Sequence, residues 1–148
     1  MLNNAPTIYV CSNTNQNEIT DKVITHLNDK IKSHLLVDLN PEYNEFTVSV
    51  PLLGELVSEY DNNLGITVSR YGGYPLMMLN RNKYIRACMC LNEWAVRAAV
   101  TDYSINVLCL PAFSMVIPDA ELTKIIDLFV NVKRNYWHTT KSFLLERL

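Results

Sequence analysis

The sequence lacks a strong net charge, a long apolar run and a secretory leader, and each absence removes a class of protein. The formal net charge is −2 over 148 residues, so bulk electrostatics indicate no nucleic-acid partner and no membrane partner. No apolar run reaches the roughly 18 residues of a membrane span. Met1–Pro6 has neither the basic nor the apolar region of a signal peptide. We therefore expect a cytoplasmic protein.

Metal-ligand spacing is missing as well. Neither the three histidines nor the four cysteines fall at the spacings of a metal site. All four cysteines lie in apolar runs, which is typical of free thiols in a core. Cys88 and Cys90 are two residues apart, so in a strand they would share a face without pairing comfortably. We expect no metal and no other cofactor. The residues concerned are His26, His34, His138, Cys11, Cys88, Cys90 and Cys109.

The composition that is present, 49% hydrophobic and 19% charged residues, is typical of a globular chain. We expect one domain over residues 1–148, long enough to bury a core. Short β-branched runs alternate with amphipathic stretches. The predicted strands are Thr7–Val10, Leu35–Val37, Gly65–Val68, Ile85–Cys90 and Val107–Leu110. The predicted helices are Glu18–Lys32, Phe46–Tyr60 with a start or kink near Pro51, Pro75–Asn80, a helix from the cap Asn92 to about Thr101, a helix capped by Asp119, and Tyr136–Leu148.

This alternation predicts an α/β fold, a three-layer α/β/α Rossmann-like sandwich with a five-stranded parallel sheet. In the helix that follows Asn92, we expect Trp94, Ala98 and Ala99 on the apolar side. The last helix ends in the apolar segment Phe143–Leu145, which has few partners left in its own chain. We expect this helix to make oligomer contacts, with folding back onto its own sheet as the alternative.

A glycine turn follows the third predicted strand. Gly72 and Gly73 can adopt positive φ, and Pro75 suits the first position of the next helix. Such a turn is expected to point backbone N–H groups outward, where they attract phosphate, carboxylate or enolate oxygens. A turn kept for packing alone is the alternative. In parallel sheets, ligands bind beyond the carboxyl ends of the strands. The predicted loops at that edge are Ser12–Asn15, Ser69–Tyr74, Leu91–Glu93 and Pro111–Phe113.

Several short segments around this turn form a recognisable pattern: Gly65-Ile66, Gly72, Asn80, Ile85-Arg86-Ala87 and Asn106-Val107-Leu108. The pattern resembles the ribose-5-phosphate isomerase B and galactose-6-phosphate isomerase family, and the order of elements fits nearly the whole chain. Arg70-Tyr71-Gly72, where the family has cysteine–glycine–threonine–glycine, is most similar to the A subunit of galactose-6-phosphate isomerase. That enzyme is a heteromer of related A and B subunits with active sites shared between chains.

The resemblance implies interconversion of aldose and ketose phosphates. A base removes the proton next to the carbonyl of the opened sugar, and the amides of the glycine turn hold the ene-diolate. The implied partners are a phosphorylated sugar and a homologous subunit, in a homodimer or in a hetero-oligomer with a B-type subunit. The implied catalytic residues are Ser69, Tyr71 and Asp102. The implied residues for substrate and phosphate binding are Asn13, Thr14, Arg70, Gly72, Gly73, Tyr74, Tyr103 and His138.

Several of these positions lack the titratable group of the family. Asn13 and Thr14 stand at its aspartate–histidine pair for ring opening, and neither titrates usefully. Ser69 stands at its cysteine base and is a poor base without a histidine or lysine partner. Two interpretations therefore remain open. Either the chain is a subunit whose site is completed by another chain, or it is an inactive paralogue that binds a sugar phosphate or only scaffolds an active homologue.

Overall fold

The computed structural model describes residues 6–13, 18–43, 45–112 and 117–134. Within these ranges, strands and helices alternate along the chain. The strands are β1 (Thr7–Ser12), β2 (Leu35–Asp38), β3 (Leu64–Ser69), β4 (Ala87–Met89) and β5 (Val107–Pro111). The helices are α1 (Glu18–Lys30), α2 (Phe46–Ser58), α3 (Gly73–Leu79), α4 (Glu93–Tyr103) and α5 (Asp119–Asn131). The predicted helix Tyr136–Leu148, with its end Phe143–Leu145, lies outside the described residues.

The five strands form one parallel sheet in the order β2-β1-β3-β5-β4. Helices α1, α4 and α5 pack on one face, and α2 and α3 pack on the other. The predicted three-layer sandwich with a five-stranded parallel sheet is therefore confirmed. Strand β3 is buried along its whole length, because strands flank it on both sides and helices cover both faces. None of the described helices is long and apolar enough to cross a membrane.

The face covered by α2 contains two fully buried thiols. Cys11 in β1 and Cys109 in β5 lie on either side of Thr67 in the strand register. Burial raises the pKa of each thiol to about 12. Both cysteines therefore stay neutral in the folded chain, as expected of core thiols.

The amino end of the sheet is closed by side chains that bond to the backbone. The Asn80 side chain accepts from Ala87 N and donates to Ala87 O, at 2.8 and 2.9 Å. Asn106 Oδ1 accepts from Arg86 N at 2.8 Å, and its Nδ2 donates to Tyr84 O at 3.0 Å. Arg86 Nε donates to Ser104 O at 2.9 Å. Strand β4 begins at Ala87 rather than at the predicted Ile85. The Ile85 amide donates to Asn82 O within a turn, and the Arg86 amide donates to Asn106, so neither amide bonds a neighbouring strand.

Three details of the helices can be compared with the sequence predictions. Asn92 caps α4 as predicted, since its side chain accepts from Ala95 N at 2.8 Å. The prediction for Trp94 was wrong, because its side chain is 78% exposed and the buried face of α4 is formed by Val96, Ala99 and Val100. Asp119 does not cap α5. It is the first residue of that helix, and Pro118 occupies the cap position.

The structure shows where Pro51 lies relative to the start of the second helix. Helix α2 begins at Phe46, and Pro51 lies inside it on an exposed position. The proline therefore does not begin the helix. Since α2 follows β2 and runs antiparallel to the strands, its first residues lie at the carboxyl edge of the sheet, beside the glycine turn.

Candidate functional site

A cavity of about 300 Å³ opens at the carboxyl edge of the sheet, between the ends of β1 and β3 and the start of α2. Its wall contains Asn13, Ser69, Arg70 and the turn Tyr71–Tyr74. The structure thus brings together most of the residues that the resemblance implied for the site. Thr14 and His138 lie outside the described residues.

The shape of the cavity depends on the conformation of Gly72. This glycine has φ of 84°, in the left-handed region that side-chain-bearing residues rarely adopt. A Cβ at Gly72 would also lie 3.0 Å from Met89 Cε, whereas a Cβ at Gly73 would meet nothing within 4 Å in the described part of the chain. The backbone conformation therefore favours glycine at position 72, where a Cβ would also displace the end of the Met89 side chain, and Gly73 borders open space.

Ser69 holds this turn in place. Its Oγ accepts a hydrogen bond of 2.8 Å from the Gly72 N–H, and its side chain is almost fully buried. An oxygen that accepts an amide proton is a weaker proton acceptor for a substrate. The expectation that the Gly72 N–H points toward a ligand is therefore wrong, because Ser69 already binds it. The amides at the start of α3, those of Gly73 and Tyr74, are the remaining candidates for an anion.

Aromatic rings form the outer wall. The Tyr74 and Phe46 rings pack with centroids 5.7 Å apart, and Tyr71 is 65% exposed. The Arg70 guanidinium lies 5.5 Å from the centroid of the Tyr71 ring, within the range of a cation–π contact. This contact places a positive charge at the mouth of the cavity, where a phosphate could be met by a planar fork of donors.

The wall supplies binding groups without a general base. Among its described residues there is no aspartate, glutamate, histidine, cysteine or lysine. Neither do the described residues contain a group of three or more potential metal ligands. Removal of a proton next to a carbonyl needs a group whose pKa is near the working pH. The cavity of a single chain can therefore hold an anion and sugar hydroxyls, but its described wall offers no base.

Asp102 and Tyr103 lie elsewhere. They are the last two residues of α4, which leads into the amino end of β5, so they are at the opposite edge of the sheet from the glycine turn. Both are exposed, Tyr103 by 69%. The structure therefore does not bring these two residues to the cavity of their own chain.

Helix α2 contributes cavity residues that the sequence pattern did not indicate. Phe46 and Thr47 line the cavity, yet nothing in their local sequence marks them as site residues. Topology could have found them, since in an alternating α/β chain the helix that follows each strand begins at the carboxyl edge.

A larger cavity, of about 410 Å³, lies between α1 and the end of β2. Its wall includes the carboxylates of Asp21 and Asp38, which would repel a phosphate. Size alone therefore does not select it, and the cavity at the glycine turn is the better candidate for an anionic ligand.

Comparison with solved structures supports this architecture. The chain is similar to ribose-5-phosphate isomerase B from Mycoplasma genitalium with bound ribulose-5-phosphate, at 24% identity and a TM-score of 0.73, covering 95% of this chain and 90% of that one. The enzyme from Thermotoga maritima gives 21% identity and a TM-score of 0.75 over 96% and 94% of the chains. Type B ribose 5-phosphate isomerase from Trypanosoma brucei is 18% identical, with a TM-score of 0.77, and the match covers 97% of this chain and 95% of that one. At these identities the likeness establishes the fold.

Sequence comparison identifies the family. No curated protein gives a significant match to the sequence. A family model described as ribose/galactose isomerase, however, matches residues 8–142. This match includes every described strand and helix except the first residue of β1. On this evidence the chain belongs to the ribose/galactose isomerase family, which comprises sugar-phosphate isomerases.

Proposed function

We propose that this chain is a subunit of an aldose–ketose isomerase for a phosphorylated sugar, most similar to the A subunit of galactose-6-phosphate isomerase. In this proposal the active site is shared between chains, and the protein works in the cytoplasm. The observation that carries the proposal is the chemistry of the cavity at the glycine turn. Its described wall has groups for an anion and for hydroxyls, but none that would accept the substrate proton.

Within this cavity, the amides of Gly73 and Tyr74 would hold the negative oxygen of the ene-diolate. Helix α3 has only seven residues, so direct hydrogen bonds from these two amides, rather than a helix dipole, would supply this stabilisation. Arg70 would bind the phosphate, together with His138. Asn13 and Thr14 would contact sugar hydroxyls, and Tyr71 and Tyr74 would enclose the ring. Ser69 would act by holding the turn rather than by taking a proton.

The missing acid and base would come from another chain. Asp102 and Tyr103 project from the edge of the sheet opposite the cavity, so they could serve only the cavity of a neighbouring subunit. The carboxyl edge also exposes apolar side chains that a neighbour could cover, as expected of an interaction surface; these are Tyr71, Tyr74, Leu91 and Trp94. Both features support a homologous subunit, either a second copy or a B-type chain, as the partner.

A second function, binding without catalysis, is favoured by one observation. The Ser69 hydroxyl at the position of the family base is buried and accepts the Gly72 amide. If no partner supplied a base, the chain would bind a sugar phosphate or scaffold an active homologue and would not turn the sugar over.

The test compares the purified chain alone with the chain mixed with a B-type homologue. Isomerisation of galactose 6-phosphate and of ribose 5-phosphate is assayed in both preparations, and binding of each sugar is measured by calorimetry. Free galactose and inorganic phosphate serve as controls. We expect binding in both preparations and turnover only in the mixture. Binding without turnover in either preparation would reject the enzyme and support the second function, and no binding at all would reject both.

A further inference from the structure

Two free thiols meet at the end of β4, outside the cavity at the glycine turn. Cys88 lies in β4, and Cys90 is the first residue after that strand. Their sulfur atoms are 3.9 Å apart. In a disulfide the two sulfurs would be about 2.0 Å apart. The thiols are thus already in contact, and a small movement would bring them to bonding distance.

The two thiols have unequal environments. Cys90 is 1% exposed and belongs to the core on the side of α4 and α5, whereas Cys88 is only partly buried. The Cys90 thiol donates a hydrogen bond to Cys88 Sγ. This bond lowers the pKa of the Cys88 thiol below its ordinary value and raises the pKa of the Cys90 thiol. Because the thiolate is the nucleophile, Cys88 is suited to attack first and Cys90 to attack second.

The backbone at this point is held by few strand pairs. Among the described residues, strand β4 has three residues, pairs only with β5, and ends with Met89 opposite Cys109. The sequence predicted a strand through Cys90, in which a disulfide between the two cysteines would be uncomfortable. Since the strand ends before Cys90, that residue can move without breaking a register pair.

Met89 connects the thiols to the glycine turn. It lies between the two cysteines, and its side chain points to the other face of the sheet, as alternation along a strand requires. There it packs beneath Gly72, whose Cβ, if present, would be 3.0 Å from Met89 Cε and 3.2 Å from Met89 Sδ. A ring closed between Cys88 and Cys90 must change the backbone of Met89, and with it the support of Gly72.

We propose that Cys88 and Cys90 form a thiol–disulfide site that is oxidised by low-molecular-weight disulfides and alters the glycine turn through Met89. The Cys88 thiolate attacks one sulfur of the small disulfide, whose S–S bond breaks and releases one small thiolate. Cys90 then gives its proton to solvent and attacks Cys88 Sγ, which expels the second small thiolate. The two protein thiols are oxidised, and the small disulfide is reduced to two thiols. This chemistry is independent of whether the cavity binds a sugar phosphate.

The first experiment follows the thiols by mass. The full chain is incubated with oxidised glutathione, then denatured, alkylated with iodoacetamide and digested with trypsin. The tryptic peptide 87–97 contains both thiols, while Cys11 and Cys109 lie on other peptides and are internal controls. We expect peptide 87–97 to lose two hydrogen atoms and escape alkylation, reversibly with dithiothreitol, while both control cysteines are alkylated.

Two variants separate the steps. Cys90→Ser is expected to accumulate glutathione on Cys88, because the second attack is lost. Cys88→Ser is expected to stay unmodified. The proposal is overturned if the wild-type chain remains reduced, if it retains glutathione on Cys88, or if Cys11 and Cys109 are oxidised as readily.

The second experiment tests the link to the turn by hydrogen exchange. Amides in residues 70–79 are expected to exchange several-fold faster in the oxidised wild-type chain than in the reduced chain. In Cys88→Ser, the same oxidant is expected to leave this exchange unchanged. Equal exchange in the oxidised and reduced wild-type chains would overturn the role of Met89.

Discussion

Polar side chains bond to the backbone at both ends of the sheet, but only the carboxyl end combines them with the cavity at the glycine turn. At the amino end, Asn80, Arg86 and Asn106 bond to backbone groups of neighbouring loops. At the carboxyl end, Ser69 also bonds a backbone amide, while Asn13 and Arg70 line the cavity. Polar groups that are satisfied within the chain stabilise it, whereas groups placed around a cavity can be satisfied by a ligand. We therefore expect substitutions in the amino-end network to act on stability, and substitutions in the cavity wall to act on the proposed binding.

This division also separates the residues that identify the family from those that depart from it. Asn80, Arg86 and Asn106, which carry much of the resemblance, belong to the amino-end network. Ser69 and Tyr71, at positions where the resemblance implies a cysteine and a threonine, lie at the cavity. The residues that carry the resemblance thus position the strands, whereas residues that differ from the pattern implied by the resemblance line the cavity.

The largest expected effect is a loss of stability from a substitution that removes hydrogen bonds at the amino end of the sheet. Asn106→Ala leaves the Arg86 amide without its side-chain acceptor and removes one of the two donors to the Tyr84 carbonyl, the other being Arg86 Nη1, so we expect a loss of about 2 kcal/mol in the free energy of unfolding. Urea denaturation measures this loss. Asn62→Ala, in an exposed turn, is the control and should change stability by less than about 0.5 kcal/mol. A similar small loss for Asn106→Ala would show that the network does not stabilise the fold.

A second prediction concerns the thiols in the middle of the sheet. The folded-state pKa of Cys11 and of Cys109 is about 12, against 9.0 for an ordinary thiol. The contribution of these neutral thiols to the free energy of unfolding is therefore fully present below pH 9. It is lost as pH rises from 9 toward 12, because the thiols ionise in the unfolded chain before they ionise in the folded chain. Between pH 8 and 10 we expect a loss of about 1.4 kcal/mol for each thiol.

To test this prediction, the free energy of unfolding is measured by urea denaturation at several pH values, and its slope against pH is compared between proteins. The double variant Cys11→Ala, Cys109→Ala is expected to be less stable at pH 8, yet to have a shallower slope above pH 9. Parallel slopes for the two proteins would contradict the assignment, whatever the difference in absolute stability.

A third prediction compares one arginine from each end. Arg70→Ala should weaken sugar-phosphate binding about tenfold, since the proposed site would lose a charged hydrogen bond to phosphate. Arg81→Ala removes the same charge from an exposed position beyond the far end of α3 and is expected to leave affinity unchanged. Calorimetry measures both, and equal weakening would mean that general charge rather than the cavity binds the sugar.

The smallest expected effect lies within the glycine turn. Gly72→Ala introduces a Cβ at positive φ and against Met89, so we expect a loss of about 1 kcal/mol in stability, with weaker ligand binding. Gly73→Ala meets no atom within 4 Å in the described part of the chain and should be nearly neutral for stability. Thermal denaturation compares the two variants, and the reverse order would place the strained position at Gly73.

The architecture could be predicted from the sequence because hydrophobic periodicity and β-branched runs mark each element locally. The prediction of Asn92 as a cap succeeded for the same reason. Details that depend on tertiary contacts could not be read in this way. The start of β4 depends on Asn106, twenty residues away, and the inward Gly72 amide depends on where the Ser69 side chain turns. Phe46 lies at the cavity because helix α2 begins at the carboxyl edge of the sheet, which depends on the topology rather than on the local sequence.

The strands at the two borders of the sheet have a further consequence. Strand β2 has four residues and β4 has three, so each border offers few backbone groups for another chain to continue the sheet. Short borders are a common protection against uncontrolled β-aggregation. Copies of this protein that associate would accordingly meet through helices and loops, which allow a closed assembly of fixed size rather than an open-ended ribbon.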